Sequence, residues 1–198
     1  MSKNNKSTPT RCGWVPLNRP AYVTYHDEEW GAPIYDDKKM FEFIVLESFQ
    51  AGLSWEIILN KRTAFRAAFD GFNVKKIAAY DKLKIKKLRA DAGIVRNRLK
   101  IEATVNNAKQ FMKTAEKFGS FCNYLWNFID GKPIVNRWKT VAQVPATTLL
   151  SDSISKEMKE LGFKFFGSTV CYAHMQAVGM VNDHTVDCFR HKECEVPE

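Results

Sequence analysis

Cys12, His26, His184 and Cys188 supply two sulfurs and two imidazoles, the donor set of a closed tetrahedral zinc site. His184 and Cys188 are four residues apart, a spacing that suits two ligands on one helical face. Cys12 and His26 lie far upstream, so one ion held by all four would staple the two ends of the chain. Four protein ligands leave no open position for water, and such a zinc is structural. Glu47 is a different kind of anomaly. It sits inside the apolar run FEFIVLESFQAGLSW, on the helical face of Met40, Ile44 and Ala51. A carboxylate there must be paired or hydrogen-bonded, or it must face a pocket that takes a polar or cationic ligand. Trp14, Tyr25 and Trp55 are the aromatic candidates for such a pocket, because their faces stack on flat, electron-poor or cationic groups. Taken singly, each also reads as a core ring.

A third constellation is LGFKFFGST, residues 161–169. Gly162 is placed to end a helix in the left-handed conformation. Gly167 precedes a new helix that Ser168 or Thr169 would cap. Free first-turn amides beside Lys164 form a cradle for a phosphate.

These groups need elements to hold them. Residues 11–36, rich in proline and aromatics, are expected to be irregular. A buried helix is expected from Asp36 or Asp37 to Ala51, broken by Gly52. Ser54 then caps a helix over 55–69, with short helices at 73–79 and 81–91. Ile101, Val105, Ala108, Met112 and Ala115 form the stripe of an amphipathic helix over 94–118. Its basic face, including Arg96, Arg98 and Lys100, reads as solvated. A helix over 120–130 is closed by Gly131, residues 132–150 form a loop with a short extended piece, and Ile154, Met158 and Leu161 stripe the helix entering Gly162. The fold class is all-α, with about eight helices.

The 198 residues carry 30 Lys and Arg against 22 Asp and Glu, a net charge of +8. That balance suits an anionic partner such as nucleic acid. Five cysteines, an odd number at low density, fit a reducing cytoplasm better than a secreted disulfide scaffold. Cys122, Cys171 and Cys194 have no assigned role, and His174 and His191 read as structural or surface residues. No apolar run has transmembrane length, no membrane partner is expected, and MSKNNKSTPT lacks the apolar core of a signal peptide.

RCGWV (11–15), YHDEEWG (25–31), LESFQAGLSW (46–55), GFKFFG (162–167) and NDHTVDC (182–188) occur in an order that resembles the bacterial type I 3-methyladenine DNA glycosylases. The resemblance spans roughly residues 11–190. It implies a helix-hairpin-helix glycosylase fold with a structural zinc joining the N- and C-terminal segments. It also implies a disordered tail over 1–10, one domain over 11–190 with a base pocket between two helical lobes, and a C-terminal tail over 191–198. On that resemblance Glu47 hydrogen-bonds the methylated base, and Trp14, Tyr25 and Trp55 line its pocket. Cys12, His26, His184 and Cys188 hold zinc. Leu53 plugs the DNA stack, and Gly162, Lys164, Gly167, Ser168 and Thr169 grip phosphate.

The implied activity is hydrolysis of the N-glycosidic bond of 3-methyladenine in double-stranded alkylated DNA, by a monomer in the cytoplasm. Two positions bear on reaction type. Asn182 stands where wider superfamily members carry a catalytic aspartate, and Asp183, one step along, is expected to point elsewhere. Thr169 stands where bifunctional relatives carry lysine, which implies a monofunctional enzyme without strand cleavage. The competing readings are a non-enzymatic DNA-binding module, a glycosylase for another lesion, and a zinc-dependent small-molecule enzyme.

Overall fold

Apolar residues recur along the chain at helical rather than strand spacing, and the computed structural model, which describes residues 9–195, is accordingly helical. Ten α-helices occur among the described residues: α1 (Pro20–Glu28), α2 (Asp37–Gln50), α3 (Trp55–Ala68), α4 (Val74–Ala78), α5 (Lys82–Ala90), α6 (Arg98–Phe118), α7 (Phe121–Trp126), α8 (Leu149–Glu160), α9 (Ser168–Ala177) and α10 (Phe189–Glu193). Two short strands, β1 (Ile134–Val135) and β2 (Val181–Asn182), pair in parallel. The extended piece foreseen within 132–150 is therefore present, and it has a partner.

The central element is α2. Asp36 caps it by accepting from the Lys39 amide at 2.8 Å. Every residue from Met40 to Phe49 is buried, so the helix is covered on all sides. The α3 helix lies across it, with Phe49, Phe65, Phe69 and Phe72 forming a run of ring contacts at centroid distances of 4.9–6.3 Å. Phe41, Phe111 and Phe121 join α2 to α6 and α7. Asp37 reaches from the start of α2 to accept from the Phe121 and Cys122 amides, which caps α7.

Several expectations are corrected. Residues 20–28 are helical, because Pro20 occupies the first turn, where a missing amide costs nothing. The long helix begins at Arg98, and Asn97 caps it through the Lys100 amide. Lys100 is 7% exposed, not solvated, while Met112 on the expected inner stripe is 39% exposed. Ser54 stands at the N-cap of α3 but makes no capping bond. Residues 1–8 of the expected N-terminal tail and 196–198 of the C-terminal one lie outside the described residues. Thr10 accepts a backbone bond from Phe189, and His191 and Cys194 are buried.

The turn between α8 and α9 follows the expected pattern at its first glycine. Gly162 has φ +89°, its amide reaches the Lys159 carbonyl, and the Phe163 amide reaches that of Met158. The second half differs. Gly167 itself is the N-cap, and Ser168 is inside α9, with its hydroxyl 2.8 Å from that of Ser151 on α8.

Candidate functional site: an aromatic cavity beside a Cys2His2 cluster

Two carboxylates are buried in α2, and their surroundings differ. Glu42 is held by Arg62 Nε at 2.7 Å and by Arg66. Glu47, 4% exposed, has no such partner among the described residues, and burial alone pushes its carboxyl up to about 8. Its neighbour Tyr25 is held well above the ordinary phenol value, first by burial and then by Glu47.

Glu47 faces a cavity of about 320 Å³ lined by Trp14, Tyr22, Tyr25, Trp30, Gln50, Trp55, Val141, Val144, Ala173, Gln176 and Asp183. The volume suits a single purine-sized ring system. Tyr25 and Trp55 meet at 5.2 Å between ring centroids, and Trp14 stands edge-on to Trp30 at 4.9 Å. A smaller hollow of about 220 Å³ shares Glu47, Gln50 and Ala173 with the first. It opens past Gly52 and Leu53 to Thr169 and Val170. Glu47 thus stands where an apolar cavity meets the 51–54 loop and the first turn of α9.

The four expected metal ligands do converge. Cys12, His26, His184 and Cys188 are all buried, and their ligand atoms lie within 4.8 Å of one another. Cys12 Sγ is 3.4 Å from His184 Nδ1, and Cys188 Sγ is 3.4 Å from His26 Nε2 and 3.6 Å from His184 Nδ1. Zn–S bonds of about 2.3 Å and Zn–N bonds of about 2.0 Å place sulfur and nitrogen roughly 3.5 Å apart on a tetrahedron. The donor set and its spacing therefore fit zinc. The outer contacts fit too. His26 Nδ1 lies 2.7 Å from Asp27, His184 Nε2 lies 3.0 Å from the Trp30 carbonyl, and the Thr185 amide points at Cys12 Sγ. Arg11 in turn clamps Asp27 at 2.7 Å.

His184 and Cys188 do not share a helical face. They lie in the turn between β2 and α10, which folds back on itself to present both. Gly31 has φ +80°, and a Cβ there would sit 2.8 Å from His184 Nε2, so the chain passes this imidazole only as glycine.

The sequence model of the methyladenine glycosylase family matches residues 14–191. The chain belongs to this family. It is 46% identical over 178 residues to the DNA-3-methyladenine glycosylase 1 of Escherichia coli K12, covering 90% of this chain and 95% of that protein. A crystal structure of a 3-methyladenine DNA glycosylase I superposes with a TM-score of 0.88 at 43% identity, covering 91% of this chain and 98% of the other. A substituted 3-methyladenine DNA glycosylase I solved in complex with 3-methyladenine gives a TM-score of 0.84 at 36% identity, covering 86% and 91%.

In this methyladenine glycosylase chain, Leu53 and Thr169 line the smaller hollow, while Gly162, Lys164, Gly167 and Ser168 lie in or just after the turn between α8 and α9. Leu53, 39% exposed, projects from the loop after α2. Lys100 Nζ fixes that loop by donating to the Phe49 and Ala51 carbonyls at 2.9 and 2.6 Å. Asn107 grips the hairpin, accepting from the Lys164 amide and donating to its carbonyl, both at 2.8 Å. Asn106 holds the Gly162 carbonyl. The first-turn amides of Ser168, Thr169 and Val170 have no carbonyl within their own helix.

Sequence reasoning missed Tyr22, Trp30, Gln176 and Asp183 as lining residues. Tyr22 is one helical turn before Tyr25, and the i, i+3 spacing was the available signal once α1 was recognised. Asp183 was expected to point elsewhere. Instead it faces the cavity, and Asn182 turns away to donate to the His191 carbonyl. Asp183 is the first residue after β2, where the chain leaves the strand pairing.

Proposed function

We propose that the protein is a monofunctional DNA glycosylase that hydrolyses the N-glycosidic bond of 3-methyladenine in double-stranded alkylated DNA and so initiates base excision repair. The observation that carries this reading is Glu47, a buried carboxylate with no cationic partner among the described residues, facing an aromatic cavity of one-base size. A cationic ligand restores the missing partner. Methylation at N3 gives adenine a positive charge, which favours the ionised carboxylate, whereas neutral adenine offers no such gain.

The charge also weakens the glycosidic bond, and the base departs neutral without prior protonation. The residues therefore have to extrude and hold the base more than to activate it. Glu47 accepts from the amino edge. Tyr25, Trp14 and Trp55 provide the apolar and π faces. Leu53 fills the gap left by the extruded base, offsetting an unstacking cost of a few kcal/mol. The hairpin of Gly162, Lys164, Gly167, Ser168 and Thr169 binds the phosphates without reading sequence. Water is the nucleophile. No lysine lines the cavity among the described residues, which supports hydrolysis without a Schiff base.

Zinc, held by Cys12, His26, His184 and Cys188, is structural, since all four positions belong to the protein. The chain acts as one domain over 11–190, its pocket between two helical lobes, as a monomer in the cytoplasm. No helix among the described residues is long and apolar enough to cross a membrane.

The test is release of base from methylated duplex DNA by the wild type and by Glu47→Gln, with products resolved by chromatography. Release of 3-methyladenine with intact strands, slowed at least tenfold in the variant, is expected. A folded, zinc-loaded wild type that releases no base would leave a DNA-binding module as the better account.

A further inference from the structure

Asp183 is 2% exposed, lines the cavity, and is bound by four donors. Oδ1 accepts from Asn136 Nδ2 at 2.7 Å and Trp138 Nε1 at 2.8 Å. Oδ2 accepts from the Tyr172 hydroxyl at 2.7 Å and Gln176 Nε2 at 2.8 Å. The donors come as two pairs from two elements. Tyr172 and Gln176 belong to α9, while Asn136 and Trp138 belong to the segment that leaves β1 and reaches the cavity at Val141 and Val144. All four are neutral, so the carboxylate is not there to balance a cation. Four neutral donors on two oxygens fill its accepting capacity, which makes it a strong geometric fixture.

We infer that Asp183 is a positioning residue that ties the 136–144 segment to α9 and thereby sets one wall of the base cavity. Backbone bonds from Ile134 to Met180, Asn136 to Asn182 and Val186 to Trp138 hold the two strands together, but none of them reaches α9. Among the described residues, hydrogen bonds join wall and helix only through the side chain of Asp183. This inference rests on the glycosylase reading and adds a residue to it.

Asp183→Asn keeps the shape and removes half of the accepting capacity. One oxygen serves one donor pair, and the amide nitrogen then faces the other pair, N–H against N–H or O–H, leaving buried donors unpaired. Trp138→Phe removes one donor on the wall side and leaves the carboxylate intact. Both variants are titrated with free 3-methyladenine by tryptophan fluorescence and assayed on methylated duplex DNA, with zinc content and melting temperature recorded.

The expected result is an affinity for free base about tenfold lower in Asp183→Asn, and lowered less in Trp138→Phe, with kcat falling in step and KM for DNA within about twofold. Unchanged base affinity in both variants, beside a wild type that binds, overturns the inference and leaves the glycosylase reading intact. So does a loss in Asp183→Asn that only follows lost zinc and lost stability, with Trp138→Phe like wild type. If Asp183→Asn does not fold, Trp138→Phe decides alone, by the same affinity and the same kcat against KM split. A wild type that neither binds nor releases 3-methyladenine sinks both readings.

Discussion

Glu42 and Glu47 are five residues apart in one buried helix, and among the described residues only Glu42 meets arginine. The unpaired one carries a consequence for stability. The folded chain holds the Glu47 proton up to about pH 8, whereas an ordinary carboxylate loses it near 4.5. The stability from this proton is complete below 4.5 and is lost as pH rises through 8, because only the folded state still binds it between those values. Glu47→Gln has nothing to titrate. Its melting temperature is expected to exceed that of the wild type by a margin that grows from about pH 5 to about pH 9, corresponding to a few kcal/mol. Calorimetry of both proteins across that range checks it, and a margin independent of pH would sink the assignment. Glu47 was legible in the sequence because a carboxylate inside an apolar run is conspicuous. Asp183 was not, because Asn182 and Asp183 are both buried and nothing in NDHT tells which of the two faces the cavity.

At the level of elements, the end of α2 is set from outside. Lys100 crosses from α6 to bind the Phe49 and Ala51 carbonyls, a cation at a helix C-terminus where the dipole favours it. Burial lowers its ammonium pKa, so those two carbonyls hold it in place of water. Lys100→Met should cost about 2 kcal/mol by the loss of hydrogen bonds from a charged donor. Because the same bonds fix the loop that carries Leu53, base release from duplex DNA should fall further than affinity for free 3-methyladenine. Parallel denaturation, fluorescence titration and base-release assays separate the two effects, and equal losses in both functions would speak against a role in placing the loop. The basic stripe of α6 explains why this lysine was read as solvated. Position on a helix predicts a face, but the neighbour that covers the face comes from tertiary packing. The hairpin was legible at Gly162, whose left-handed turn is a local requirement. The Asn107 grip on Lys164 was not, since it joins residues 57 apart.

At the level of the whole molecule, the Cys2His2 cluster closes a loop of 172 residues between Cys12 and His184. By loop-closure entropy a link of that length is worth about 5 kcal/mol. Stripping zinc with a chelator should therefore lower the melting temperature by roughly 10 °C. The same treatment should weaken 3-methyladenine binding, because Trp14 packs on His26 and Trp30 on His184. Scanning calorimetry with and without chelator, together with the fluorescence titration, reads both; an unmoved melting temperature would remove the metal from the account. The grouping of Cys12, His26, His184 and Cys188 was suggested by their types and by their placement in two distant segments, and the helical architecture by apolar spacing. The parallel pairing of β1 with β2 was not, as two residues per strand carry no period.

The distribution of cavity residues along the chain also bears on protein synthesis. Translation supplies Trp14, Tyr25, Glu47 and Trp55 more than a hundred residues before Gln176, Asp183, His184 and Cys188. A ribosome-bound fragment that stops short of Gln176 can hold Glu47 but neither Asp183 nor half of the Cys2His2 cluster. On the proposed function, competence to capture a base is therefore expected to arrive only with residues 176–188, and a chain interrupted before them is expected to be inert on DNA.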